Sequence, residues 1–363
     1  MNCVPMRASQ PCHVLFAIMS ALLLVTLGSA QSAPSASAQA PDSLPHAPSA
    51  IVNPEVAEAR RLAEQGDYDG ALLKLQDLAS KDPSLRGISA EMGATLYKKG
   101  DYLKAADYFK KALAENPKDD ESTQLLGLSY YLAGRPADAI PLLEKVQSWY
   151  PRANIDASYI LGVAYIQTKD YPHARAAFAR MFDVPADSAS AYLFTARMLL
   201  RQEFDPVAEE HARKAIEIDP KLPGAHMLLG ELYLYKSRIP EAITELQAEL
   251  ALNPAEAAAY YKLADAYSRV QKFDEAERLL QRSIWLDATS TGPFILLGKV
   301  LEKKGEYDLA VRALQRAATM DPNNPITHHL LGQTYRDMGK KEQADNELRL
   351  AEQLRVRQDA HSE

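Results

Sequence analysis

Cysteine is nearly absent from this chain. Only Cys3 and Cys12 occur among 363 residues, and both precede an apolar run from Val14 to Leu27. If the N-terminal segment is removed, the rest of the chain has no thiolate nucleophile, no disulfide and no cysteine ligand for zinc. Cys12 precedes the apolar run instead of following it, so it does not fit the lipid-bearing cysteine of a bacterial lipoprotein signal.

The N-terminus has the features of a secretory signal peptide. Arg7 precedes the apolar run, and Gly28 and Ala30 are the small residues that cleavage requires. The run is shorter than the roughly 20 apolar residues that cross a bilayer, and no other segment is long and apolar enough to do so. We predict a signal peptide over residues 1–30 and export to the periplasm or the extracellular space. An uncleaved membrane anchor is the alternative.

Several classes of functional motif are missing as well. The net charge is −7 without a block of like charges, so the sequence lacks the basic patch typical of nucleic-acid binding. It contains no phosphate-binding loop, dinucleotide fingerprint or His-Glu-x-x-His segment. Gly127-Leu128-Ser129 could be half of a nucleophile elbow, but Ser129 is not followed by the second glycine. We therefore predict no enzyme, no cofactor and no metal site.

Residues 31–51 are rich in alanine, serine and proline and are predicted to form a disordered tether. From Val52 onward the sequence repeats at intervals of 34 residues, with one extra residue between the third and fourth copies. The nine copies begin at Val52, Arg86, Asp120, Ile155, Ala189, Pro223, Ala257, Thr291 and Pro325. The array is assigned to residues 52–356, and residues 357–363 form a polar tail.

Small residues recur at two positions of the repeat. The eighth position holds only glycine or alanine: Ala59, Gly93, Gly127, Gly162, Ala196, Gly230, Ala264, Gly298 and Gly332. The twentieth holds only alanine: Ala71, Ala105, Ala139, Ala174, Ala208, Ala242, Ala276, Ala310 and Ala344. Glycine inside a helix costs roughly 1 kcal/mol relative to alanine, so its recurrence indicates a steric requirement where two helices meet.

Each copy contains two amphipathic stretches, separated by a turn near position 15, and most copies end in proline, which stops a helix. The third copy shows the complete pattern, with Leu126, Gly127, Tyr130, Gly134, Ala139, Leu143 and Pro151. This pattern resembles the tetratricopeptide repeat. The resemblance implies an all-α fold, a right-handed superhelical solenoid of tandem helix-turn-helix hairpins. The fifth copy departs from the pattern at Thr195, Glu203 and Ala212.

If positions 4, 7, 8 and 11 of the first helix pack within the array, positions 5, 9 and 12 are left free. In the family this free face lines a concave groove for peptides, and the resemblance implies the same here. The predicted groove residues are Tyr97, Leu128, Tyr131, Tyr159, Val163, Ile166, Leu193, Arg197, Leu200, Met227, Glu231, Leu234, Tyr261, Asp265, Lys299 and Arg336. The alternative is that these side chains pack against neighbouring repeats.

The groove is apolar in the second to fourth copies and becomes charged toward the C-terminus. We expect an apolar partner segment to dock in the second to sixth copies, with the charged residues further along setting its register. No copy combines the lysine at position 5 and the asparagine at position 9 that some relatives use to bind acidic tails. We expect a non-enzymatic protein-protein interaction scaffold of the envelope or secreted space. A structural subunit of an export, polysaccharide-secretion or pilus assembly machine is the alternative. An accessory subunit of an enzyme on another chain is a third hypothesis.

Overall fold

The computed structural model describes residues 53–149, 155–202 and 205–360. The predicted signal peptide and tether lie outside these ranges. The described residues form α-helices joined by short turns and contain no β-strand, which confirms the predicted all-helical fold. The chain divides between Lys169 and Asp170 into two compact units.

The first unit contains seven of the described helices. They are α1 Pro54–Glu64, α2 Tyr68–Lys81, α3 Ile88–Lys99, α4 Tyr102–Glu115, α5 Asp120–Leu132, α6 Pro136–Trp149 and α7 Ile155–Gln167. Helices α1 and α2, α3 and α4, and α5 and α6 pack as hairpins, and each hairpin packs on the next. Each of these odd-numbered helices begins within two residues of a predicted repeat start.

The second unit contains eleven described helices. They are α8 Tyr171–Met181, α9 Ala189–Arg201, α10 Asp205–Ile218, α11 Ala225–Tyr235, α12 Ile239–Leu252, α13 Ala257–Arg269, α14 Phe273–Leu286, α15 Thr291–Lys303, α16 Tyr307–Met320, α17 Pro325–Asp337 and α18 Lys341–Ala360. From α9 onward the helices pair as five successive hairpins. Helix α18 ends at Ala360, so four residues of the predicted polar tail are helical.

Small residues set the distance between the two helices of a hairpin. All nine alanines at position 20 are at most 2 % exposed. A Cβ atom on Gly93 would lie 2.8 Å from the ring of Phe109, and one on Gly332 would lie 2.6 Å from Cγ of Leu348. Both partners occupy position 24 of the same copy. The glycines therefore permit a close approach of the helices, as the sequence predicts.

The turn within each hairpin has one conformation. Position 15 is left-handed in every copy where the structure describes it, whether it is a glycine such as Gly134 (φ 73°) or not. The other residue types there are Lys169, Ser237 and Gln271, with φ of 63°, 57° and 60°. Position 15 of the fifth copy, Glu203, lies outside the described residues. A left-handed residue ends the first helix and lets the chain reverse into the second.

Proline marks the end of several second helices. Asp82, Asn116 and Asn253 cap α2, α4 and α12 with ψ of 86°, 92° and 82°, outside the helical region. Each precedes a proline, which disfavours helical geometry in the residue before it. Across the ranges that the structure describes, no helix is long and apolar enough to cross a membrane.

Candidate peptide-binding face

Positions 5, 9 and 12 of the first helices define the predicted groove face. The structure leaves nine of the sixteen predicted residues half-buried: Tyr97, Leu128, Tyr131, Tyr159, Leu200, Met227, Glu231, Tyr261 and Asp265. Three more, Arg197, Lys299 and Arg336, are exposed. These twelve residues offer surface to a partner, because part of each side chain remains accessible.

The other four predicted residues offer almost no surface. Val163, Ile166, Leu193 and Leu234 are exposed by 2 %, 0 %, 8 % and 4 %. Leu193 and Leu234 belong to an apolar cluster of buried residues that also contains Leu228 and Tyr233. Positions 5, 9 and 12 directly follow the packing positions 4, 8 and 11, and in these four residues the side chain is enclosed by the core. These four residues are therefore not part of the accessible face.

A cavity of about 430 Å³ lies on the groove face of the first unit. Tyr97 and Ala94 of α3 line it together with Arg60 of α1 and Leu125 of α5. We call this space the first-unit cavity. It is formed by the first helices of three consecutive copies, so it follows the direction in which the hairpins are stacked.

Two of the residues at the edge of the first-unit cavity form an ion pair. Arg60 Nε donates to both carboxylate oxygens of Glu91 at 2.9 Å, and this contact raises the pKa of Arg60. The ring of Tyr97 packs edge-on against Tyr102, with centroids 5.7 Å apart. Burial raises the pKa of Tyr97, so its hydroxyl is neutral at physiological pH. The cavity thus combines an aromatic wall with a charge pair at its edge.

Leu128 and Tyr131 continue the apolar face on α5. Burial raises the pKa of Tyr131, and the nearby Tyr159 on α7 adds to the shift. Tyr131 and Tyr159 therefore lie on neighbouring first helices of the first unit. Neutral tyrosines with partly accessible rings supply apolar contact area and a hydroxyl for hydrogen bonding.

A second cavity, of about 240 Å³, lies on the groove face of the second unit. It is lined by residues of α9 and α11 and of the turn before α11: Arg197, Leu200, Arg201, Gly224, Met227, Leu228 and Glu231. We call it the second-unit cavity. Four of these residues, Arg197, Leu200, Met227 and Glu231, are predicted groove residues, so the structure brings them together around one space.

Further along the second unit the groove face is more polar. Asp265 accepts from Arg269 at 2.8 Å, and Arg269 also donates to the carbonyl oxygen of Leu234 at 3.0 Å. Burial raises the pKa of Tyr261, and Asp265 contributes to the same shift. Lys299 and Arg336 are exposed and make no ion pair within residues 53–149, 155–202 and 205–360.

The serine of the possible nucleophile elbow has a structural role. Ser129 is fully buried, and its Oγ donates to the carbonyl oxygen of Leu125 at 2.6 Å within α5. A hydroxyl that donates to the preceding turn of its own helix faces no substrate cavity. In the part of the chain that the structure describes, no group of three or more histidine, aspartate or glutamate side chains is arranged to hold a metal ion.

Some residues of the two cavities were not predicted from the sequence. Glu64, Lys98 and Arg201 occupy position 13, and Leu125 and Leu228 occupy position 6. Position 13 lies one helical turn beyond position 9, so including it in the pattern would have identified the three charged residues. Position 6 carries no such regularity, because it faces the cavity only where the neighbouring first helix leaves room.

Family models identify the repeats independently. A tetratricopeptide-repeat model matches residues 56–120, 161–223 and 227–293, which together exceed half of the chain. Two further models of such repeats match residues 298–339 and 327–355. A model described as anaphase-promoting complex, cyclosome, subunit 3 matches residues 98–181. No curated protein matches the chain.

Solved structures show partial similarity. MamA 41-end from Desulfovibrio magneticus RS-1 is 18 % identical, with a TM-score of 0.45 over 48 % of this chain and 98 % of that chain. YrrB, described as a TPR protein with an unusual peptide-binding site, is 23 % identical, with a TM-score of 0.42 over 46 % and 87 % of the two chains. PilF from Pseudomonas aeruginosa is 19 % identical, with a TM-score of 0.44 over 53 % and 88 %.

Proposed function

This chain belongs to the tetratricopeptide-repeat family, and we propose that it is a non-enzymatic scaffold that binds segments of partner proteins on its groove face. One observation carries the proposal. Four predicted groove residues, from two consecutive first helices, line the second-unit cavity, and Tyr97 lines the first-unit cavity. Recesses that combine apolar walls with a few charged groups are the usual form of a binding site.

The groove face also keeps apolar side chains partly accessible where burial would be favourable. Leu128, Leu200 and Met227 are half-buried, although their neighbours at the packing positions are almost fully enclosed. Removing apolar area from water is worth about 25 cal/mol per Å², so a partner segment that covers these side chains gains affinity. The flexible side chain of Met227 adapts to partners of different shape.

We further propose that the protein works outside the cytoplasm after removal of residues 1–30. The support is the charged residue, short apolar run and small residues at the N-terminus of the sequence. N-terminal sequencing of the protein recovered from the envelope and extracellular fractions tests this. A mature N-terminus at Gln31 is expected, and an intact Met1 or Met6 would contradict it.

Selection of random dodecapeptides on the full chain tests the scaffold function. Peptides that are retained are labelled, and their affinity is measured by fluorescence polarisation. Leu128→Asp and Met227→Asp each place a charge on one part of the groove face. Peptides that bind the corresponding part should lose affinity by about tenfold or more, which is roughly 1.4 kcal/mol. Circular dichroism verifies that each variant stays helical.

Leu73→Asp is the matched control for these variants. Leu73 is 67 % exposed on α2, a second helix, so the same substitution there does not touch the groove face. Its affinity for every selected peptide should equal that of the parent. If no peptide is retained, or if all three variants bind as the parent does, the groove face is not the binding surface.

A further inference from the structure

We propose that the second-unit cavity recognises an acidic side chain placed next to an aliphatic one in a segment of a partner protein. This inference rests on the proposed function and specifies the chemistry of the partner. It follows from the distribution of paired and unpaired charges around the cavity, not from the total charge of the chain, which is −7.

The cations of the cavity have no ion-pair partner among the residues that the structure describes. Arg197 and Arg201 are both exposed on α9 and lie one helical turn apart. Neither makes an ion pair or a side-chain hydrogen bond with any residue that the structure describes. Two guanidinium groups at this spacing repel each other, and a carboxylate between them relieves the repulsion.

The carboxylates of the same face are already paired. Glu231, at the edge of the cavity, forms an ion pair with Lys262, with Nζ and Oε1 3.4 Å apart. Asp265, on the next first helix, accepts from Arg269 at 2.8 Å. The charge left over at the cavity is therefore positive. A basic partner segment would have to displace an existing pair, whereas an acidic one would not.

The backbone next to Arg197 leaves room for its guanidinium group. Gly224 has φ of 78°, and a Cβ atom there would lie 2.7 Å from Nη2 of Arg197. The buried carboxylate of Glu249 accepts from the backbone N–H of Gly224 at 3.0 Å and of Met227 at 3.2 Å. Glu249 thereby fixes the start of α11, and the glycine leaves room for the guanidinium above it.

The remaining wall of the cavity is apolar. Leu200 and Met227 are half-buried, and Leu228 is 6 % exposed. A volume of about 240 Å³ is below the roughly 300 to 1,000 Å³ of sites that enclose a drug-sized molecule. It suits one or two side chains of a segment that passes along the groove. An aliphatic side chain fits against Leu200 and Met227 while a neighbouring carboxylate reaches the arginines.

The test uses peptides selected from a random dodecapeptide library on the full chain. Peptides that bind the Met227→Asp variant more weakly than the parent are assigned to the second-unit cavity. Most of them should contain Asp or Glu within two residues of Leu, Ile or Val. The double variant Arg197→Glu, Arg201→Glu should weaken their binding by about tenfold or more, and replacing the acidic residue by its amide should have a similar effect. Binding should also weaken with added salt.

Arg312→Glu with Arg316→Glu is the matched control. These two exposed arginines have the same spacing on α16, a second helix, and the same lack of an ion pair among the described residues. The control variant should bind the peptides as the parent does. Replacement of Arg197 and Arg201 by lysine should weaken binding to an intermediate degree, because lysine keeps the charge but loses the planar fork.

The outcomes separate this inference from the proposed function. If peptides bind the cavity without enrichment of acidic residues, or if charge reversal at Arg197 and Arg201 leaves their affinity unchanged, the scaffold stands and the acidic specificity is wrong. If no peptide binds at all, both are wrong. The predicted tether, residues 31–51, itself contains an acidic and an aliphatic residue close together, Asp42 and Leu44. Several-fold tighter peptide binding by the Asp42→Asn variant would show that this segment occupies the cavity and would overturn recognition of a partner.

Discussion

A Cβ atom on Gly230 would lie 2.6 Å from Cγ of Leu246, closer than carbon atoms of packed side chains approach. Gly230, on α11, is at position 8 of the sixth copy, and Leu246, on α12, is at position 24 of the same copy. Met227 and Glu231, which line the second-unit cavity, are next to Gly230 on the same helix. The close approach of α11 and α12 therefore sets the distance of Met227 and Glu231 from the core.

Enlarging Gly230 should destabilise the sixth hairpin. Gly230→Leu forces the helices apart, and we expect the free energy of unfolding to fall by about 1 to 3 kcal/mol. In a background of Leu246→Ala, which opens space at the contact, the same change should cost less. Urea unfolding of the parent, both single variants and the double variant measures this coupling. Strictly additive effects would show that the two residues do not constrain each other.

The turns offer a stabilising change. Ser237 and Gln271 hold the left-handed conformation that glycine provides in other copies. This conformation costs an L-residue roughly 1 to 2 kcal/mol, and glycine removes that cost. Glycine also increases the conformational entropy of the unfolded chain, which offsets part of the gain in stability. Ser237→Gly and Gln271→Gly should each raise the free energy of unfolding by about 0.5 to 1 kcal/mol, measured by urea unfolding.

A glycine elsewhere should have the opposite effect. Arg278→Gly replaces an exposed residue inside α14 and should destabilise the chain by about 1 kcal/mol. If Ser237→Gly and Gln271→Gly also destabilise, the backbone conformation at these turns is not a source of strain.

The fold follows from the sequence more completely than the groove does. Positions 8 and 20 hold only glycine or alanine in all nine copies. A close contact between two helices requires this restriction to small residues. Both helices of that contact lie within one repeat, so the pattern is local in sequence. The left-handed turn is harder to infer, because Lys169 and Gln271 satisfy it without a glycine.

Groove residues depend on contacts between successive repeats. Leu193 and Leu200 have the same chemistry and lie on the same helix, yet Leu193 is 8 % exposed and Leu200 is half-buried at the cavity. A helical period places both near the free face, but the neighbouring helix covers only one. The pairing state of a charge on this face is more local. Arg269 pairs with Asp265 four residues before it on the same helix, whereas Arg201 has Arg197 at that spacing and no ion pair among the described residues.

Glu209 on α10 should make the second unit sensitive to strong acid. It accepts from Lys236 at 2.9 Å, from Arg213 at 3.2 Å and from Arg238 at 3.1 Å. Burial opposes ionisation, but these donors prevail and lower its pKa from 4.5 to about 2. A carboxylate with a lowered pKa stabilises the fold above its unfolded value, and this stability is lost as pH falls from about 4.5 to about 2.

Glu209→Gln should therefore lower the free energy of unfolding at pH 7 by about 1 to 3 kcal/mol. The variant should also lose less stability than the parent when the pH is lowered from 5 to 2.5. Urea unfolding at several pH values provides the measurement. Glu217→Gln is the control on the same helix, because its carboxylate pairs with Lys214 at the surface, where solvent screens the pair and its loss should change stability little. Equal effects of the two substitutions would mean that the three donors do not act together on Glu209.

His211 on α10 should make stability depend on pH in a milder range. It is 7 % exposed and lies against Tyr192 and Tyr171, with ring centroids 5.5 and 6.4 Å away. Its Nδ1 contacts the carbonyl oxygen of Val207 at 3.0 Å, and its Nε2 has no partner within the described ranges. Burial lowers the pKa of His211, and Arg175 adds to this shift, whereas the hydrogen bond to Val207 and the charge of Glu210 oppose it.

Because its pKa is lower in the folded chain, His211 takes up a proton more readily when unfolded, where its pKa is about 6.5. Stability is therefore complete well above pH 6.5 and declines as pH falls through 6.5 toward the folded value. His211→Gln removes the titrating group, so the difference in free energy of unfolding between pH 8 and pH 5.5 should be smaller in the variant. A change in the free energy of unfolding that is the same at both pH values reflects packing alone. An unchanged difference between the two pH values would mean that His211 titrates alike in both states.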